Sequence, residues 1–170
     1  MNAGRRRPVW VARLPRRMCD GVLELRAVRV SDGPFLAVVF AGTGAARMQG
    51  RSLRRAFFFW WFVRKTYSFA YCIVTGANPI GFIGLYDLIP GRSAEMSLAV
   101  TDHAFRRSGF GSRAFRLLRE NLVRRSVIEM LRVEIQHENH AALRFAEKMG
   151  FTRDLTRKET VRLALRLSSR

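Results

Sequence analysis

The sequence predicts a single α/β domain of the α+β kind, built on a mixed but mostly antiparallel sheet. Three observations predict it. Short apolar–polar alternations recur along most of the chain, as half-buried strands require. Three of them follow one another across tight turns between Ser68 and Val100, which is a meander. Beyond residue 100 the apolar period lengthens from 2 to 3.6 and a long amphipathic helix begins. At 170 residues the chain suits one domain, able to bury roughly 70% of its unfolded surface.

In chain order, residues 1–20 read as a loose basic leader, with Pro8, Pro15 and arginine pairs, and residues 21–170 as the folded domain. Val22–Val28 alternates as a first strand. Ser31 and Asp32 offer oxygens to cap a short helix that runs through Phe40, and Gly42 and Gly44 break it. Ser52–Lys65 predicts a second helix with arginines at its ends and a run of aromatics inside. So many bulky apolar residues in a row cannot all face one core, so part of the run lines a cleft, meets a partner or touches a membrane. The meander strands are Ser68–Thr75, Ile80–Leu88 and Ala94–Val100, turned by Gly76-Ala77-Asn78-Pro79 and Pro90-Gly91. Phe110–Arg125 is the amphipathic helix, Leu131–Gln136 a strand, Ala141–Met149 a helix stopped by Gly150, and Thr160–Leu167 a last strand.

Composition excludes several classes. Two cysteines, Cys19 and Cys72, without C-x-x-C spacing argue against a disulfide scaffold or zinc site and fit a reducing cytoplasm, so no metal is expected. The most apolar run, Ala56–Val63, is far shorter than the ~20 residues a membrane span needs. The net charge of +18 is almost all arginine and attracts polyanions: phosphate-bearing cofactors, RNA, the ribosome or an acidic membrane. A solvated arginine-rich surface explains the same number, so charge alone selects no partner.

The junction between the third meander strand and the long helix carries the chemistry. Arg106-Arg107-Ser108-Gly109-Phe110-Gly111 leads into the helix, with Ser112 in its first turn. Glycines let a ligand approach the backbone, a helix N-terminus presents unpaired N–H groups and positive dipole, and arginines add charge-assisted bonds. Together they predict a grip on a diphosphate. It is not a nucleoside-triphosphate loop, which needs Gly-Lys-Ser/Thr, nor a dinucleotide fingerprint, which needs a third glycine and a distal acid.

This pattern resembles the pyrophosphate loop of the GNAT superfamily of coenzyme A-dependent N-acyltransferases, Gln/Arg-x-x-Gly-x-Gly/Ala, at Arg106, Gly109 and Gly111. A second block, Asn139 to Phe151, is similar to that family's N-x-x-(A/S)…E-K-x-G-F signature. Gly81-Phe82-Ile83-Gly84 and Ala94-Glu95-Met96 resemble its ribosomal-protein N-terminal acetyltransferase branch. The resemblance spans about residues 22–167. It implies six to seven strands with helices on both faces, splayed between the strands at 94–100 and 131–136, where acetyl-CoA enters. It implies that the backbone of Leu98, Ala99 and Val100 pairs with the pantetheine arm. Arg106, Arg107, Ser108, Gly109, Phe110, Gly111 and Ser112 would hold the diphosphate, Asn139 would bond the pantetheine or the helix start, and Val100 N–H would face the thioester oxygen.

The implied reaction is direct attack of an amine on the thioester, with a carboxylate taking the amine proton. Glu134 and Glu95 are the two candidates, one on each strand of the splayed pair; each also reads as a surface residue paired with arginine. Where many relatives carry a hydroxyl that protonates the thiolate, this chain has Ala146 and Ala142. The acceptor is a protein N-terminus, near ribosome or RNA, or a small-molecule amine, and the protein a monomer or homodimer. The competing expectation is a catalytically weak module that binds CoA or RNA through its arginines.

Overall fold

A computed structural model describes residues 14–40, 53–101, 105, 108–125 and 127–167, with backbone only at 53–57 and 59. The meander expected from sequence is present as β3 (Phe69–Thr75), β4 (Asn78–Ile89) and β5 (Ser93–Val100). They pair antiparallel because each connection is a tight turn. Upstream, β2 (Glu24–Ala27) pairs with β3, and β1 (Arg17–Cys19) pairs with β2. Helix α3 (Phe110–Arg124) carries the chain back across the sheet, so β6 (Met130–Gln136) runs parallel to β5. Helix α4 (His140–Lys148) follows, then β7 (Thr152–Thr156) and β8 (Thr160–Arg166), which inserts between β6 and β7. The result is an eight-stranded sheet of order β1-β2-β3-β4-β5-β6-β8-β7.

Each face has its own core. On one face, Ala114, Phe115, Leu118 and Leu122 of α3 and Leu143 of α4 pack over Ile73, Ile83, Leu85, Leu131 and Leu163. Burying each such leucine is worth about 1.5–3 kcal/mol, which holds α3 against the sheet. On the other face, α1 (Gly33–Val39) and α2 (Leu53–Thr66) supply Leu36 and Val63, packed with Phe40, Cys72 and Phe82.

The sheet is of the expected kind, with eight strands where six to seven were expected, the two added ones at its edges. One extra strand, β1, lies inside the segment expected to be loose up to residue 20. Leu14 and Met18 are buried there, and Asp20 ties the following turn to Val22 N–H, Leu23 N–H and the Arg113 guanidinium. The rest of that leader, residues 1–13, lies outside the described residues. The other extra strand, β7, is exposed at all five positions and so has no apolar alternation to read. Finally, Asp32 does not cap α1. Its carboxylate accepts the Arg29 N–H one turn earlier, at 2.6 Å, and pairs with Arg26.

Candidate active site

Strands β5 and β6 are paired only at Ser93/Met130, Ala94/Leu131 and Glu95/Arg132 among the described residues. Beyond Glu95 and Arg132 the two strands part, so this pair is the apex of a wedge-shaped gap. Period-two alternation sorts the β5 side chains to its two sides. Leu98 and Val100 point to the α3 side, and Glu95 and Ser97 to the α1–α2 side, where Ser97 Oγ receives the Tyr67 hydroxyl at 3.1 Å.

On the α3 side, the end of β5 meets the start of the long helix. Gly109 is the N-cap of α3, in the left-handed region at φ +84°, where a Cβ would be strained. Gly111 has no such demand: a Cβ there would meet Phe145, Val100 and Leu98 at ordinary distances of 3.7–3.9 Å. Nothing in the fold itself forces glycine at 111, whereas a ligand laid across the first turn would. Phe110, Gly111 and Ser112 form that first turn, whose N–H groups have no acceptor within a helix. No acidic side chain occupies it to compete with an anion. Ser108 and Gly109 lead in, while Arg106 and Arg107 lie outside the described residues. Asn139 caps α4, its side-chain oxygen accepting from Ala142 N–H at 3.1 Å, which leaves its amide NH2 as a donor toward a ligand. Ala146 lies on the buried face of α4 and offers no proton. Leu98, Val100 and Gly111 are therefore brought together, with Phe145 added, while the Ala99 side chain alternates to the other side.

The two glutamates sit in opposite environments. Glu134, on β6, accepts the Thr160 hydroxyl at 2.7 Å and lies 3.5 Å from both Arg157 and Arg162. The Thr160 bond and those cations hold its carboxyl below the ordinary value. Glu95 is half-buried at the apex, and its Oε2 is buried without a hydrogen-bond partner. Burial pushes its carboxyl up, by more than the Arg162 and Arg132 cations pull it down; Glu134 and Asp87 add to the rise. A carboxylate raised by desolvation is a stronger base than one saturated with donors.

Tyr86 stands directly opposite Glu95 on β4, next to a register shift at which Asp87 adopts φ +46°. Such a bulge re-aims side chains beside a cleft. An edge-on aromatic chain connects it to the helices: Tyr86 to Tyr67 at 5.5 Å, Tyr67 to Phe82 at 5.0 Å, Phe82 to Phe40 at 5.3 Å and Phe40 to Phe62 at 6.0 Å. The aromatic run of α2 thus serves partly as core, through Phe62 and Val63, while Trp61 stays 46% exposed. Sequence reasoning missed Tyr67, Ser97, Arg132, Arg162 and Phe145. Alternation along β6 does put Arg132 on the face of Glu134, but pairing Arg162 with them needs the β6–β8 register.

A family model described as the acetyltransferase (GNAT) domain matches residues 23–152. Among solved structures, a ribosomal L7/L12 alpha-N-protein acetyltransferase in complex with coenzyme A is similar at a TM-score of 0.72. It is 18% identical, with 91% of this chain and 97% of that one covered. An acetyltransferase from Salmonella typhimurium that modifies the N-terminal serine of L7/L12 gives 0.69, at 18% identity and 91% and 99% coverage. A probable GNAT acetyltransferase from Chromobacterium violaceum gives 0.71, at 15% identity and 91% and 93% coverage. At these identities the likeness is one of fold. No curated protein sequence matches the chain.

Proposed function

Because the chain belongs to the GNAT acetyltransferase domain family, we propose that it moves an acetyl group from acetyl-CoA to a primary amine by direct attack. The observation that carries the reading is the gap between β5 and β6. On one side it has a helix N-terminus with a glycine the fold does not require, and on the other a desolvated glutamate.

The residues fit acetyl-CoA. The first turn of α3 supports the diphosphate through N–H groups and helix dipole, with Arg106 and Arg107 proposed to add charge. The edge of β5 from Leu98 to Val100 offers backbone groups to the pantetheine amides, as an added strand would. Glu95 takes the proton of the amine, whose nitrogen then bonds the thioester carbon. Breaking the carbon–sulfur bond releases the CoA thiolate, which with Ala142 and Ala146 in place of hydroxyls takes its proton from solvent. An α-amine, with a pKa near ~7.7–8.0, needs less help from Glu95 than a lysine at ~10.4. The solved relatives that modify ribosomal L7/L12 support a protein N-terminus as one acceptor, and a small amine beside the aromatic chain is the other.

The test is calorimetry of the purified protein with acetyl-CoA, beside a Gly109→Glu, Gly111→Glu double variant, followed by thiol release over an amine panel. Micromolar binding lost in the double variant, with turnover of one amine, is expected. No binding by folded wild type would sink the reading. Binding without turnover would turn it to the CoA-binding module.

A further inference from the structure

Three buried side-chain atoms without hydrogen-bond partners stand out among the described residues: Glu95 Oε2, Arg132 Nε and Arg162 Nε. Strand register puts them on one face. Arg132 is level with Glu95 across β5 and β6, and Arg162 is opposite Glu134 across β6 and β8, two residues further along the same face as Arg132. All three therefore border the apex of the gap on the side away from α3.

Their remaining bonds do not satisfy them. Arg132 reaches Ser93 Oγ at 3.2 Å through one terminal nitrogen, and Arg162 approaches Glu134 at 3.5 Å. Glu134 takes its short bond from the Thr160 hydroxyl instead. Leaving a buried polar atom unpaired is costly, more so when the group is charged, so each such atom calls for a partner: water, an ion or a ligand. Here the set is specific. One atom needs a donor and two need an acceptor, side by side, and guanidinium is the side chain best shaped to hold carboxylate or phosphate.

A molecule that satisfies all three carries an N–H donor and an anion a short distance apart. We propose that the acceptor is an amine bearing an anionic group, which Arg132 and Arg162 hold while the amine faces Glu95. The inference rests on the acetyl-transfer reading and names its acceptor class. It makes Arg132 and Arg162 specificity residues, with no part in cofactor binding, since both lie across the sheet from α3.

The test compares matched amines by calorimetry on protein saturated with CoA, so that no turnover intervenes. The pairs are Ala-Glu-Ala amide against Ala-Gln-Ala amide, glutamate against glutaminamide, and phosphoethanolamine against ethanolamine. The first distinguishes an acidic protein N-terminus, the second a free amino acid, the third a phosphate. At least one anionic member is expected to bind tenfold or more tightly than its neutral partner. Arg162→Gln and Arg132→Gln should each cut that preference to under threefold, with CoA affinity unchanged and Arg162→Lys intermediate. Equal binding within twofold in every pair, no binding by any, or a preference that survives both glutamine variants would overturn the proposal. Wild type alone decides the first two outcomes, whatever the variants do. Failure of CoA to bind would instead strike the acetyl-transfer reading, and the pairs can still be titrated without it.

Discussion

Glu95 and Arg132 form the last backbone pair before β5 and β6 part, and Glu95 keeps one carboxylate oxygen buried and unbonded beside that cation. A fold that only needed stability would place a neutral side chain there. Burial raises the Glu95 carboxyl, so the folded state binds a proton more readily than the unfolded chain does. The ionised group therefore works against folding near neutrality, and this penalty disappears as pH falls through the raised value. Glu95→Gln is expected to raise Tm while lowering kcat about 100-fold or more, within the range a lost general base produces. Thermal denaturation beside steady-state thiol release checks both. A lower Tm with unchanged kcat would remove Glu95 from the mechanism.

The pH profile gives a separate test. With Glu95 as the proposed base, acetyl transfer would need it ionised, so kcat should fall on the acid side with a midpoint above the ordinary glutamate range, because the shift is upward. Glu134 is shifted the other way and stays ionised through that window. Glu134→Gln should leave the acid limb in place and cost under about 1 kcal/mol, as expected for an exposed ion pair. An acid limb that moves with Glu134→Gln and not with Glu95→Gln would exchange their roles.

Much of this fold was legible in the sequence, for physical reasons that also mark where legibility stopped. β3, β4, β5, α3 and α4 carry strong periodicity because each buries a continuous face, and their bounds fall within a few residues of expectation. β1 has only three residues and β7 no buried one, so neither leaves a pattern. The helix start proposed for the cofactor was readable because Gly109 and Gly111 are unusual residues there. The acceptor side was not. In a chain with 31 lysines and arginines, Arg132 and Arg162 look like any surface cation. Only strand register brings residues 95, 132 and 162 together.

Gly109 and Gly111 should separate by experiment. Gly109→Ala places a Cβ at φ +84° and is expected to destabilise by about 1–2 kcal/mol. Gly111→Ala meets only ordinary contacts and gains helix propensity, so its stability should hold or rise by up to about 1 kcal/mol. Its acetyl-CoA affinity should nevertheless fall tenfold or more, because the methyl would occupy the path proposed for the diphosphate. Chemical denaturation and calorimetry on the two variants decide it; undiminished affinity in Gly111→Ala would place the diphosphate elsewhere.

Gly84 lets the Tyr67 ring come close to β4 on the side proposed for the acceptor. A Cβ at Gly84 would fall 2.5 Å from the Tyr67 ring and 2.8 Å from Phe82, neither of which has room to retreat in the aromatic chain. Gly84→Ala is expected to cost about 1–3 kcal/mol by overpacking. It should also displace the Tyr67 hydroxyl from Ser97 and raise the KM for the amine more than that for acetyl-CoA. Equal changes in both KM values would mean a general loss of packing.

Arg26 and Asp32 anchor the turn that launches α1, and their side chains are only 14% and 7% exposed. Burial alone would raise the Asp32 carboxyl, but two bonds from Arg26 and one from Arg29 N–H outweigh it and leave a net lowering. The stability this confers is present above the unfolded aspartate value and is lost as pH falls through the lower folded value. Asp32→Ala leaves the Arg26 cation buried without its carboxylate, a change that costs about 3–5 kcal/mol in comparable pairs. Replacing both members, Arg26→Met with Asp32→Ala, should recover a large part of that loss, because the stranded charge is gone. Urea denaturation at neutral pH and near pH 3 checks the pair. A double variant no more stable than Asp32→Ala would mean that the Asp32 bond to Arg29 N–H, rather than the ion pair, holds the turn.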